Sequence, residues 1–166
     1  MKKLSTSLLV LALSILIGCE GPAGPEGPPG AANIKTVEVS FDGDDINPDE
    51  NGNANIEYDI SEINQEVVSG GVVQAYINID GYSFPYIITS YIPDGSGDDI
   101  LTTLEITYGY DVGLFDLLFF DSVTGFPYEQ LSGDVKVVVI PPSEVESSKS
   151  YSYKTYEEAK SALGLS

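Results

Sequence analysis

"ILTTLEITYGY", residues 100–110, alternates without a break. Ile100, Thr102, Leu104, Ile106, Tyr108 and Tyr110 fall on one side, and Leu101, Thr103, Glu105 and Thr107 on the other. A helix would scatter the apolar set around its axis, whereas a strand puts every second side chain on one face. Downstream, "LFDLLFF" (114–120) is apolar on both faces except at Asp116, as a central strand would be. "DVKVVVI" (134–140) is similar and stops at Pro141-Pro142. Upstream, "TVEVSF" (36–41) alternates Val37, Val39 and Phe41 with polar residues, and "NIEYDI" (55–60) alternates Ile56, Tyr58 and Ile60 with acids. "VVQAYINI" (72–79) runs into Asp80-Gly81, a dipeptide that tolerates positive φ, and "YSFPYIIT" (82–89) then reads as its hairpin partner. Pro85 has no amide donor, which places its strand at a sheet edge or bulge. The pattern predicts an all-β fold, an antiparallel β-sandwich of about seven strands, Ig-like or jelly-roll-like.

Two segments break the alternation. In "ISEINQEVVSGG", Ile60, Ile63 and Val67 share a helical face, and Gly70-Gly71 ends the turn. In "KTYEEAKSALGL", Thr155 and Glu158 form a capping box before an apolar stripe of Tyr156, Ala159, Ala162 and Leu163. One short helix and a C-terminal helix are therefore expected, the latter packed on or near the sandwich.

The N-terminus follows different rules. Lys2 and Lys3 precede an apolar run, Leu8 to Ile17, that is too short to span a bilayer and reads as a signal peptide. It ends in Leu16, Ile17 and Gly18 before Cys19, the lipobox pattern of bacterial lipoproteins, in which the thiol accepts a diacylglyceryl group and cleavage falls before the cysteine. Two or three acyl chains anchor a protein durably where one does not. Four Gly-X-Y triplets follow, with glycine at 21, 24, 27 and 30. Four triplets are too few to offset the ordering entropy of a collagen rod. Their proline content instead favours polyproline II, a spacer of about 40 Å at ~3.1 Å per residue. The expected organisation is a signal peptide (1–18), a lipidated cysteine and tether (19–33), a sandwich domain (34–141), and a linker with the C-terminal helix (142–166). A monomer is expected; trimerisation through the triplets is the alternative, because co-anchored chains are concentrated on one surface.

The lipobox, the "GPxGPxG" run, "AANIKTVEVSF", "ISEINQEVVSGGVVQAYI" and "VKVVVIPPS" followed by "YKTYEEAKSALGL" together resemble a group of collagen-like lipoproteins of the Bacteroidota. The resemblance implies one domain and an outer-membrane address, and it carries no activity. Asp directly after the lipidated cysteine would signal inner-membrane retention; Glu20 stands there instead. The expectation is an exported protein on the outer membrane, with the cell surface favoured over the periplasmic face.

Composition excludes most chemistry. The chain has 26 acidic residues, seven lysines and no histidine. Cleavage before Cys19 would leave five lysines, a formal charge of 5 − 26 = −21. Such a surface repels nucleic acid and anionic head groups. Without histidine there is no Ser-His-Asp triad and no His-ligated zinc or haem; lipidation of the one cysteine also removes thiolate chemistry. No enzyme and no obligatory cofactor are expected. Calcium is the best chemical candidate. "DGDDINPDENGN" (42–53) crowds Asp42, Asp44, Asp45, Asp49 and Asn51 into one loop, and "DGSGDD" (94–99) adds Asp94, Asp98 and Asp99. In the first loop Asn47, Asp49, Asn51 and Gly52 match the opening of an EF-hand loop, but Tyr58 stands where its bidentate Glu belongs. Solvated turns prefer the same residue types. Tyr82, Tyr86, Tyr91, Tyr108 and Tyr110 are candidates for a glycan-stacking face, although no tryptophan accompanies them. The expected role is a membrane-anchored, non-catalytic structural, adhesive or binding lipoprotein with an envelope protein or glycan as partner. The alternative is a calcium- or glycan-binding envelope module.

Overall fold

The computed structural model describes residues 33–78, 84–93, 99–123, 125–146 and 149–165. The lipobox, Cys19, the triplets, Asp80-Gly81, Tyr82, Asp94 and Asp98 lie outside the described residues. Seven strands form two antiparallel sheets. They are β1 (Lys35–Asp42), β2 (Asn53–Asp59), β3 (Val72–Ile77), β4 (Tyr86–Pro93), β5 (Asp99–Asp111), β6 (Leu114–Asp121) and β7 (Ser132–Ile140). One sheet has the order β1-β7-β3 and the other β2-β6-β5-β4. The all-β sandwich is thus the fold. Pairing nests β1 against β7 and β2 against β6, the jelly-roll manner rather than the ABED/CFG order of an Ig constant domain.

Period-two patterning explains the layers. Phe41, Val73, Leu104, Ile106, Phe115, Leu117, Phe119, Val135 and Val137 belong to one buried cluster between the sheets. Phe41 and Phe119 meet edge-on across it, 5.8 Å between ring centroids. A fully buried side chain of this size contributes about 1.5–3 kcal/mol, so this cluster is the dominant stabilising element. β6 and β7 are central, as their two-sided apolar character requires.

The outer face of the three-stranded sheet is covered by helix α2 (Tyr156–Leu163). Tyr76, Val138 and Ile140 point away from the main core and bury against Ala159 and Leu163. Tyr76 meets Tyr156 edge-on at 6.0 Å, and Lys136 Nζ sits 4.4 Å above the Tyr156 ring. Thr155 Oγ1 accepts from the Glu158 N–H at 3.2 Å, while the Glu158 carboxylate reaches back to the Lys154 N–H at 3.0 Å. Gly164, at φ 65°, ends the helix. The buried stripe is Ala159 and Leu163, with Tyr156 half-buried beside it; Ala162 faces solvent, one position off the sheet-facing side.

The shorter helix, α1 (Gln65–Gly70), is capped by Asn64, whose side chain accepts from the Glu66 and Val67 N–H groups. Ile60, Ile63 and Val67 are buried as their spacing predicts. β4 is an edge strand, as Pro85 predicts, and Pro85 lies just before it. The expected 72–79/82–89 hairpin is not formed. β3 pairs with β7 and β4 with β5, so the chain crosses between sheets there. The reason is burial: β3 hides both faces, including Tyr76 under α2, whereas Ile87 and Tyr91 of β4 face water.

Candidate functional site

The sandwich has two unlike ends. Lys35, Val72 and Ile140 lie together at one, with α1 and the β5–β6 turn, where the Ile60 N–H donates to Gly113 O at 2.9 Å. A groove of about 310 Å³ opens at this end between Asn33, Lys35, Glu62, Asn64, Val67 and Pro141. The other end carries the acidic loop, the 121–131 loop and the start of β5. β6 pairs with β5 only as far as Leu104↔Asp121, so Thr89–Pro93 and Asp99–Thr103 continue past it as a two-stranded ribbon.

The acidic loop is built as a turn. Asp42 caps the 3-10 turn Gly43–Asp45, its carboxylate accepting from the Asp44 N–H at 3.2 Å. Asp49 Oδ1 accepts from the Asn51 and Asn53 N–H groups, both at 2.9 Å. The Asn53 N–H bond leads in holding the Asp49 carboxyl below its ordinary value, against a smaller opposing effect of desolvation. The Asn51 side chain points back to Asp49 at 3.5 Å, and Gly52 takes φ 80°. Tyr58 is a strand residue whose hydroxyl donates to Ser40 O at 2.7 Å. No three acidic side chains converge on a common point among the described residues. In the stretch that matches the opening of an EF-hand loop, Asp49 thus places one oxygen on backbone N–H groups. Asp44 and Asp45 are exposed.

The buried polar residues among those described are Thr102 and Asp121, and they are joined. The Thr102 hydroxyl and the Val123 N–H (3.1 Å) donate to Asp121 Oδ1, and the Phe126 N–H donates to Oδ2 at 2.9 Å. The Asp121 N–H and the Tyr128 hydroxyl both donate to Gly52 O, at 3.0 and 3.3 Å. Burial, followed by the charges of Asp121 and Asp49, pushes the Tyr128 hydroxyl up to about 12. The constellation ties β5, β6 and two loops together. Its carboxylate accepts three hydrogen bonds and is buried, so it acts as a structural clamp. Sequence reading missed it, although Thr102 on the apolar side of β5 is the signal that a buried partner waits there.

Among the described residues, the candidate tyrosines do not share one face. Tyr108 faces inward, stacks on Phe115 at 5.5 Å and donates to Val73 O at 3.1 Å. Tyr86 packs against the same core. Tyr91 points outward and is 68% exposed.

What remains open is the outer face of the four-stranded sheet, which no element covers among the described residues. Ile87 (60% exposed), Leu101 (52%) and Phe120 (43%) stand on it beside Tyr91. Along the register, Tyr91 lies opposite Leu101, Thr89 opposite Thr103, and Glu105 between Ile87 and Phe120. Tyr91 and Leu101 thus form one apolar pair, and the Thr89–Thr103 row separates it from Ile87 and Phe120, which flank Glu105. The class defined by this geometry is a helix-backed β-sandwich with the outer face of one sheet covered and that of the other open among the described residues, its exposed apolar side chains set among polar ones. No protein-family model matches the chain, and no curated protein or solved structure resembles it significantly.

Proposed function

We infer that this chain is a lipid-anchored lipoprotein of the bacterial cell envelope whose sandwich has a non-catalytic structural, adhesive or binding role. The observation that carries the reading is the run Leu16, Ile17, Gly18, Cys19 behind a signal-like apolar segment, with a Gly-X-Y tether leading to the first strand. The tether joins the sandwich at the Lys35 end, and the ribbon and the acidic loop belong to the opposite end. A surface-anchored binding module gains from that polarity, because its far end is free to meet partners. The absence of histidine, and the engagement of buried Asp121 by three donors from its own chain, favour binding over catalysis.

Metabolic labelling with a palmitate analogue tests the anchor. The full-length protein is expected to take up label and to partition with the outer membrane. The Cys19→Ala variant is expected to lose the label. Label retained in Cys19→Ala, or wild-type protein in the soluble fraction, would overturn the reading.

A further inference from the structure

We propose that the open face of the four-stranded sheet docks a polypeptide segment carrying a lysine or arginine between apolar side chains, with Glu105 as the residue that receives the cation. The proposal deepens the binding role inferred above and names the chemistry of its partner.

Charge complementarity supports that occupant. Glu105 stands in the middle of the face, exposed, with Ile87 on one neighbouring strand and Phe120 on the other. Its diagonal neighbours on those strands are Thr89, Leu118 and Ser122, none of them cationic. The lack is general: 20 acidic residues and not one lysine lie between Lys35 and Lys136. The lysines of the described residues are Lys35, Lys136, Lys149, Lys154 and Lys160, and none belongs to the four-stranded sheet. A carboxylate set between two exposed apolar side chains, Ile87 and Phe120, with no cation beside it suits a partner that supplies both a cation and apolar side chains. The apolar side chains would displace water around the ion pair and so strengthen it.

Other occupants fit less well. A second copy placed face to face would set Glu105 against Glu105 on a chain of net charge −19. An anionic membrane surface is repelled for the same reason. A glycan offers no cation and needs adjoining flat aromatic platforms, while the exposed rings of this face, Phe120 and Tyr91, stand on β6 and β4 with β5 between them. Strand addition at β4 is limited because Pro85 and Pro93 bracket that edge.

The probe is a fluorescein-labelled peptide in which single arginines alternate with leucine and threonine. Its binding to the full lipidated protein in neutral detergent is read by anisotropy at physiological salt. Saturable binding is expected, weakened about tenfold or more by Glu105→Lys and by Ile87→Ser/Leu101→Ser. A peptide with glutamate in place of arginine is expected to reverse preference and bind the Glu105→Lys variant better than wild type. Glu66→Lys makes the same change in net charge on α1, away from this face, and is expected to leave binding within about twofold. Equal weakening by Glu66→Lys and Glu105→Lys would mean bulk attraction and would overturn the proposal. So would absence of binding, a glycan hit on an array that is lost in Ile87→Ser/Leu101→Ser, or dimers in sedimentation that the same variant abolishes. Lipidation of Cys19 is scored independently, so failure here leaves the anchor reading standing and failure there leaves this one.

Discussion

Removing the carboxylate at Asp121 is the sharpest test of how the ribbon end is held. Asp121 is 8% exposed and accepts three hydrogen bonds, from the Thr102 hydroxyl and the Val123 and Phe126 N–H groups. In Asp121→Ala all three donors lose their acceptor. The Thr102 hydroxyl has a fallback in Val123 O at 3.4 Å, and Val123 is only half-buried. The Phe126 N–H has no such escape. A buried orphaned donor costs about 1–3 kcal/mol, and bonds to a charged acceptor are worth more than neutral ones. Relief from burying the carboxylate offsets part of the loss. The net expectation is about 3 kcal/mol, a large share of the 5–15 kcal/mol by which domains are stable. Asp121→Asn keeps Oδ1 but turns an NH₂ toward the Phe126 N–H, and is expected to cost about 2 kcal/mol. Thr102→Val removes a donor, leaves Oδ1 bonded to Val123, and is expected to cost about 1 kcal/mol or less. Urea unfolding of the mature chain, followed by far-UV circular dichroism, ranks the three. Equal costs for Asp121→Ala and Thr102→Val would refute the reasoning, since the donors would then not depend on the carboxylate.

Other consequences can be read in the same way. A Cβ on Gly43 would sit 1.7 Å from Tyr128 O and 2.9 Å from Glu129 Cα, both backbone atoms, so Gly43→Ala is expected to cost about 3 kcal/mol in the same urea experiment. Gly70→Ala meets only Pro142 side-chain carbons at 3.8 Å or more and is expected to be neutral or stabilising by up to about 1 kcal/mol. Thr155→Ala removes the cap of α2 and is expected to cost about 1 kcal/mol, with faster hydrogen exchange at Ala159 and Leu163 and little change in the sandwich core. The Tyr128 hydroxyl, pushed up to about 12, contributes stability that is complete below the ordinary tyrosine value near 10 and lost as pH rises through about 12. Tyr128→Phe is therefore expected to lose less stability than wild type between those values, as measured by urea midpoints across an alkaline series.

The strands were legible because six of the seven bury one face or two in a way that period two reports directly. The partner of β3 was legible as well, but through a different signal from the one that Asp80-Gly81 offered. Val72–Ile77 and Val135–Ile140 are both nearly continuous apolar runs, whereas Thr89 and Ser90 interrupt Tyr86–Pro93. β3, buried on both faces, lies beside β7, another such strand, where the C-terminal helix covers them. Turn chemistry specifies where a chain can reverse. It does not specify which sheet receives the returning strand, because that depends on how many faces each strand must hide.

The acids show why the candidate site was harder to read than the fold. A chain with 26 of them offers no contrast by residue type, and the crowded loop at 42–53 attracts attention for its density alone. Yet Asp49 is occupied by backbone N–H groups, Asp121 by a hydroxyl and two N–H groups, and Glu105 by nothing on its neighbouring strands. What separates these three carboxylates is parity and register. Asp121 closes β6 on the inward parity of Phe115, Leu117 and Phe119, so it must be satisfied inside. Glu105 lies on the outward parity of β5, where a lone acid is unremarkable until Ile87 and Phe120 are set beside it by strand pairing. Pairing is the long-range information that a single sequence withholds. Once it is known, the same residue changes from one solvated charge among many to a carboxylate set between two exposed apolar side chains, with no cation on its neighbouring strands.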